Sequence, residues 1–143
     1  EERATWMVSN KKFNAISKNT PGVVDIFPTI VNFMDIAIPK NQAMEIDGVS
    51  LLGEAFASHL TGTLNGKTLT LSWKDYDCKA TSMVWVTPTN QYKYGETDIY
   101  RQIGKVAIEN GAASFDLKHA YDRLKVVMEL PNGYLNVWVT NKE

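Results

Sequence analysis

The 143-residue chain is 44% apolar, which is enough to build the core of one ordinary domain or two small ones. Its 15 Lys and Arg nearly balance 16 Asp and Glu, so a formal net charge of −1 provides no basic field for nucleic acid. We expect no membrane span, since there is no apolar run of about 18 residues, and no signal peptide in the first residues. Cys78 has no second cysteine to pair with and is expected to be inert.

The first third of the chain has a helical pattern. Residues 5–9 are predicted to form a short strand, and a turn follows at Pro21-Gly22. Asp25 is predicted to cap a helix by accepting a free amide of its first turn, with Pro28 inside that turn. Apolar residues at helical spacings then form a wide stripe that is expected to pack against a sheet: Ile26, Phe27, Ile30, Val31, Phe33 and Met34.

A connector follows this helix. Pro39 ends local helix, and Asp47-Gly48 is a turn pair. Ser50 is predicted to cap a second short helix over residues 51–59, with Glu54 near the capping-box position. A domain border is predicted within "TGTLNGK", residues 61–67.

The remainder of the chain alternates with the period of β-strands. The segment "TLTLSW" alternates strictly between apolar and small polar residues, and five more candidates follow: "TSMVWVT", "RQIGKVAIE", "ASFDLK", "RLKVVMEL" and "GYLNVWVT". The Asn-Gly pairs at 110–111 and 132–133 are predicted hairpin turns. The pattern predicts an antiparallel β-sandwich of the immunoglobulin or fibronectin type. Its predicted core contains Trp73, Trp85 or its neighbours, Phe115, Leu124, Val126, Met128 and Trp138.

Two blocks in the first third resemble a known enzyme family. The segments "VVDIFPTIVNFMDIAIP" and "IDGVSLLG" resemble the late part of the catalytic domain in the alkaline-phosphatase superfamily, on the type I phosphodiesterase and nucleotide pyrophosphatase branch beside the sulfatases. The resemblance covers about residues 4–53, although Asn10 stands where the family has glycine after the preceding strand. The residues that match are Asp25, Phe27, Pro28, Thr29, Asp47, Gly48, Ser50 and Leu51.

The resemblance implies an α+β chain, with a partial α/β segment of a catalytic domain over residues 1–63 and the β-sandwich over residues 64–143. It also implies a periplasmic or secreted hydrolase in which two divalent metal ions, usually zinc, assist a Ser or Thr nucleophile. His59 and His119 are the only two histidines, and neither lies in a motif like the family's metal loops. We therefore assign no catalytic, cofactor-binding or metal-binding residue to this chain, and treat Asp25 and Asp47 as capping and turn residues.

The implied partner is the rest of the parent catalytic domain, and an exposed N-terminal segment also predicts a homo-oligomer. A different class of function stays open, namely a stand-alone β-sandwich that binds carbohydrate or protein. Tyr92, Tyr94 and Tyr100 lie close together in "NQYKYGETDIY", and exposed aromatic rings on a sandwich loop can stack on sugars. Asp75 and Asp77 are interpreted as ordinary loop carboxylates rather than calcium ligands.

Overall fold

A computed structural model describes residues 8–142 and shows two antiparallel β-sheets. The first sheet has the order β1-β2-β5 and the second β4-β3-β6-β7. The β-sandwich prediction is confirmed, and so are the six predicted strands. The seven strands are β1 (Ala57–Asn65), β2 (Thr68–Asp75), β3 (Thr81–Thr87), β4 (Arg101–Ala107), β5 (Ala112–Asp116), β6 (Arg123–Leu130) and β7 (Gly133–Thr140).

The core lies between the two sheets and follows from alternation. In β2, Leu69, Leu71 and Trp73 are buried while the intervening residues point to solvent. The Trp73 indole also donates a 2.7 Å hydrogen bond to the Ile108 carbonyl, which satisfies its only polar atom. The predicted core residues of β6 are all fully buried in the same cluster: Leu124, Val126 and Met128.

Of the aromatic assignments to the predicted core, one is wrong, and the assignment of Trp85 or its neighbours is confirmed through the neighbours Val84 and Val86. The assignment of Trp138 to the core is wrong, since its side chain is 38% exposed on the outer face of β7 beside Arg123. Trp85 is half-buried on an outer face while its neighbours enter the core, and Phe115 is half-buried against that core. A strand presents alternate residues to opposite faces, so once the neighbours of Trp138 and Trp85 point inward these two must point outward.

One of the two predicted hairpin turns is wrong. The β6–β7 hairpin closes with Leu130 opposite Gly133, so its loop consists of Pro131 and Asn132. Asn110-Gly111 instead connects β4 to β5, which belong to different sheets, and therefore makes a crossover rather than a hairpin. The predicted border at residues 63–64 lies within β1, which pairs with β2. The division into a catalytic-domain remnant and an appended domain stays a prediction.

The segment before β1, residues 8–56, is here called the arm. It contains α1 (Ile26–Phe33), α2 (Lys40–Ala43) and two 3-10 helices, Ala15–Lys18 and Val23–Asp25. The predicted helix over residues 51–59 is wrong, because Ser50 bonds to the Leu52 amide in a bend and Ala57 already begins β1. Of the strand predicted for residues 5–9, residues 5–7 lie outside the described part, and Val8 and Ser9 have no regular structure.

The arm packs on the outer face of the four-stranded sheet. Val127, which alternation places on that face, is fully buried. Its cross-strand neighbour Asn136 donates a 2.8 Å hydrogen bond to the Ile46 carbonyl of the arm. Met44 of the arm is also buried. Strand β6 is therefore covered on both faces, which explains why nearly every one of its residues is buried.

Candidate docking surface

The two blocks that carry the family resemblance are in direct contact. The carboxylate of Asp25 is buried and accepts 2.8 Å hydrogen bonds from the amides of Gly22 and Val49. The prediction that Asp25 caps the first turn of α1 is therefore wrong, because its side chain accepts no amide of that helix. It bonds backward to the preceding turn and across to the second block, which lies 24 residues later.

Thr29 makes a second joint between the same blocks. Its side chain is 3% exposed, and its hydroxyl donates to the Asp25 carbonyl at 2.6 Å and accepts from the Leu51 amide at 2.9 Å. Between the two joints, Gly48 has a φ of +85°, and a Cβ there would lie 2.4 Å from the Val24 carbonyl oxygen. Glycine is needed at this position because any side chain would collide with that backbone.

The second block is also held from its other side. The Asn14 amide donates to the Leu51 carbonyl at 2.8 Å, and the Asn14 side chain donates to the Ser50 carbonyl at 3.1 Å. Leu51 and Leu52 are buried. The second block, residues 46–53, is called the strip. It is hydrogen-bonded to α1 on one side and to Asn14, near the start of the arm, on the other.

The helix that these joints hold turns its apolar side chains to solvent. We call this surface the apolar face; its residues are between 43% and 72% exposed, and they are Val23, Val24, Phe27, Ile30, Phe33, Met34 and Ile36. Within α1, Thr29 is the buried residue. The exposed fractions correspond to roughly 600 Å² of apolar surface, at the upper end of the 300–600 Å² that is typical for the largest patch on a monomer. The sheet expected to cover this stripe is not found within residues 8–142.

Two further features describe the surroundings of the apolar face. Between residues 22 and 34 the only ionisable side chain is Asp25, which is buried. Two charged side chains nevertheless adjoin the face: the Lys11 ammonium lies 5.1 Å from the Phe33 ring centroid, and Asp35 is exposed between Met34 and Ile36. A cleft of about 520 Å³, lined by Val31 and Asn32 of α1 and by Pro131 and Asn132 of the β6–β7 turn, separates the helix from the sandwich. The helix therefore stands away from the sandwich and presents a mostly apolar surface.

The side chains able to bind metal or attack an ester lie apart from this surface and from one another. His59 lies in β1 with a φ of +55°, not at a helix end as predicted, and its Nδ1 is 2.8 Å from the Ser58 hydroxyl. His119 is exposed before β6. Asp75 accepts the Asp77 amide at 3.1 Å, which is a loop contact. In the described part of the chain, no three His, Cys, Asp or Glu side chains converge as a metal site.

Cys78 is buried, and its thiol donates a 3.5 Å hydrogen bond to the Phe56 carbonyl. Burial raises the pKa of this thiol, and the nearby carboxylate of Glu54 raises it further. A raised pKa leaves little thiolate at neutral pH, so the side chain is a poor nucleophile.

The three tyrosines of the predicted sugar-binding loop have different environments. Tyr92 and Tyr94 are 47% and 72% exposed on a 3-10 turn. The carboxylate of Asp98 holds this turn by accepting hydrogen bonds from the Thr89 hydroxyl and the amides of residues 91 and 92. Tyr100 is half-buried and donates to Glu45; burial, together with this carboxylate, raises the pKa of its phenol. Two of the three rings are thus exposed, and the Lys93 ammonium lies 4.6 Å from the centroid of the Tyr94 ring.

Comparison with known proteins gives no family: no family model matches the sequence, and no curated protein is significantly similar to it. None of the helices within residues 8–142 is both long and apolar enough to cross a bilayer. The apolar face is held in place by the Asp25 and Thr29 hydrogen bonds, and nothing in the described part of the chain covers it.

Proposed function

We propose that this chain is a non-catalytic part of a metal-dependent hydrolase of the phosphodiesterase and nucleotide pyrophosphatase type, exported to the periplasm or outside the cell. In this proposal the apolar face docks on the rest of the catalytic domain, and the sandwich has a structural or accessory role. One observation supports it most: the two blocks that resemble the family hold a helix whose apolar side chains are left exposed.

The proposal places the reaction centre outside this chain. The residues present do not fit a two-zinc centre, because within residues 8–142 no three candidate ligands converge. No step of ester hydrolysis is therefore assigned to these side chains. Incubating the isolated chain with zinc and an aryl phosphodiester should give neither turnover nor stoichiometric binding of two zinc ions. Robust turnover by the chain alone would contradict the proposal.

Docking of the apolar face is energetically reasonable. Covering roughly 600 Å² of apolar surface corresponds to about 15 kcal/mol of gross transfer free energy, before ordering costs are subtracted. Docking within one polypeptide avoids the loss of translational freedom that association of separate molecules requires. The predominance of apolar side chains on the face suits a partner surface that is itself mostly apolar, such as the outer surface of a sheet.

A double substitution, Phe27→Ser with Ile30→Ser, tests this docking. In the isolated chain both side chains are about half buried, so the free energy of unfolding should fall by only about 1–3 kcal/mol. In the intact polypeptide the same change should lower the yield of folded, zinc-loaded enzyme. Ile99→Ser is the matched control, since Ile99 is 86% exposed on a different loop and should be neutral in both settings. An intact enzyme that tolerates the double substitution as well as the control would contradict docking.

The strand order favours the fibronectin form of the sandwich. In the immunoglobulin constant arrangement the fourth strand joins the sheet of the first, second and fifth strands. Here β4 pairs with β3, which gives the sheets β1-β2-β5 and β4-β3-β6-β7. This order supports a fibronectin-like accessory domain in the proposed hydrolase.

A second candidate function is carbohydrate binding through Tyr92 and Tyr94. The supporting observation is their exposure on a turn that Asp98 holds in place, since rigid exposed rings suit stacking on a sugar. If this function holds, immobilised polysaccharide should retain the chain, and replacing both tyrosines with alanine should abolish retention without changing the free energy of unfolding. Failure of the unmodified chain to be retained by a panel of polysaccharides would exclude it.

A further inference from the structure

We infer that Glu45 is a positioning residue that fixes the apolar face relative to the sandwich. The role of the apolar face as a docking surface rests on the proposed function. The dependence of that face's position on Glu45 is a property of this chain alone. Glu45, Lys125 and Tyr100 are together called the Glu45 anchor.

The anchor is a buried charge pair with an added hydrogen bond. One carboxylate oxygen of Glu45 pairs with the ammonium of Lys125, and the other accepts a hydrogen bond from the Tyr100 hydroxyl. The side chains of Glu45 and Lys125 are 5% and 6% exposed, so solvent screens the pair poorly. Lys125 lies on the outer face of β6, and Tyr100 immediately precedes β4. The anchor therefore joins the arm to two strands of the four-stranded sheet.

A short path leads from the anchor to the apolar face. Glu45 directly precedes Ile46, whose carbonyl is bonded to Asn136 of β7. In the strip that follows, the amides of Val49 and Leu51 donate hydrogen bonds to Asp25 and Thr29, which hold α1. Because a cleft separates α1 from the β6–β7 turn, the position of the helix depends on this strip. The anchor and the Asn136 bond are the attachments at the beginning of the strip.

A second ion pair between arm and sheet has a different character and provides the control. Lys40 lies 3.1 Å from Glu129, with side chains 52% and 29% exposed, and its ammonium also lies 4.7 Å from the Trp85 ring centroid. Exposed pairs contribute little to stability, whereas removing one partner of a buried pair leaves an uncompensated charge. The same kind of substitution should therefore have a large effect at the buried pair and a small effect at the exposed pair.

Amide hydrogen exchange in the isolated chain tests the inference, with the Val49 and Leu51 amides as reporters and the β6 amide of Val126 as an internal reference. Glu45→Gln and Lys125→Met should each lower the protection of both reporters about 100-fold, beyond any change at the reference. Lys40→Met should change reporter protection less than threefold. The charge-exchanged double variant, Glu45→Lys with Lys125→Glu, should recover at least tenfold of the lost protection.

Tyr100→Phe keeps the test valid if the charge variants fail to fold. It removes one hydroxyl without changing the shape of the ring, and should lower reporter protection about tenfold. Reporter protection unchanged in Tyr100→Phe and Glu45→Gln, or a charge exchange that recovers nothing, would overturn the inference. These readouts need no partner, so they are independent of whether Phe27→Ser with Ile30→Ser affects the intact enzyme.

Discussion

Replacing Thr29 with valine tests whether polar joints hold α1 on the arm. Valine keeps the branched shape of threonine and removes only the hydroxyl, which donates to the Asp25 carbonyl and accepts from the Leu51 amide. Thr29 is 3% exposed, so water cannot readily replace the lost partner. The buried Leu51 amide would be left without an acceptor.

An unsatisfied buried amide costs about 1–3 kcal/mol, so we expect Thr29→Val to lower the free energy of unfolding by about 2 kcal/mol. For a chain of this length that corresponds to a fall in Tm of about 6–8 °C. Thr29→Ser is the matched control, since it loses a methyl group and keeps the hydroxyl.

Urea denaturation followed by circular dichroism measures this difference, and hydrogen exchange at Leu51 localises it. The Leu51 amide should lose protection in Thr29→Val and retain it in Thr29→Ser. If the two variants unfold within about 0.5 kcal/mol of each other, the hydroxyl does not hold the helix and the described joint has no energetic role.

Three further predictions concern other parts of the fold. Gly48→Ala places a Cβ 2.4 Å from the Val24 carbonyl oxygen and should lower the free energy of unfolding by about 3 kcal/mol. Gly66→Ala, at a positive φ with open space around it, should lower it by only about 1–2 kcal/mol. Equal losses in urea denaturation would contradict the close contact. Trp73→Ala should cost about 3–5 kcal/mol because it empties a core position, and a loss below about 1 kcal/mol would refute that position. Although burial opposes ionisation of Asp98, hydrogen bonds from one hydroxyl and two amides hold its pKa below the usual value. Its stabilisation is therefore present above about pH 4 and lost as the pH falls through the lowered pKa, so the stability difference from Asp98→Asn should shrink between about pH 4 and pH 2. A pH-independent difference would contradict this prediction.

Local alternation was sufficient to predict six strands but not the first. In β2 the strict alternation of leucines and threonines identifies a half-buried strand. In β1 the sequence "ASHLTGTLN" is rich in small polar residues, and a register shift between Ser58 and Thr61 breaks the alternation. A bulge of this kind removes the period on which the prediction depends. The outward position of Trp138 could not be predicted either, because alternation alone does not say which set of residues faces the core.

The candidate site was partly predictable for the same reason. Helical spacing identified the apolar stripe on α1, since that pattern is local. The contacts that hold the helix are long-range: Asp25 reaches Val49, and Glu45 reaches Lys125, which lies 80 residues away. Nothing in the sequence near Glu45 distinguishes it from an exposed glutamate. Only the folded arrangement shows that this carboxylate is buried against a lysine on the sheet.

The mass of the native polypeptide tests the central proposal most directly. An antibody raised against this chain would be used to recover the protein from cells that produce it, and the mass would be measured under denaturing conditions. Membership in a larger hydrolase predicts a species much heavier than the 16.1 kDa of this chain. Recovery of a 16.1 kDa species alone would contradict the proposal.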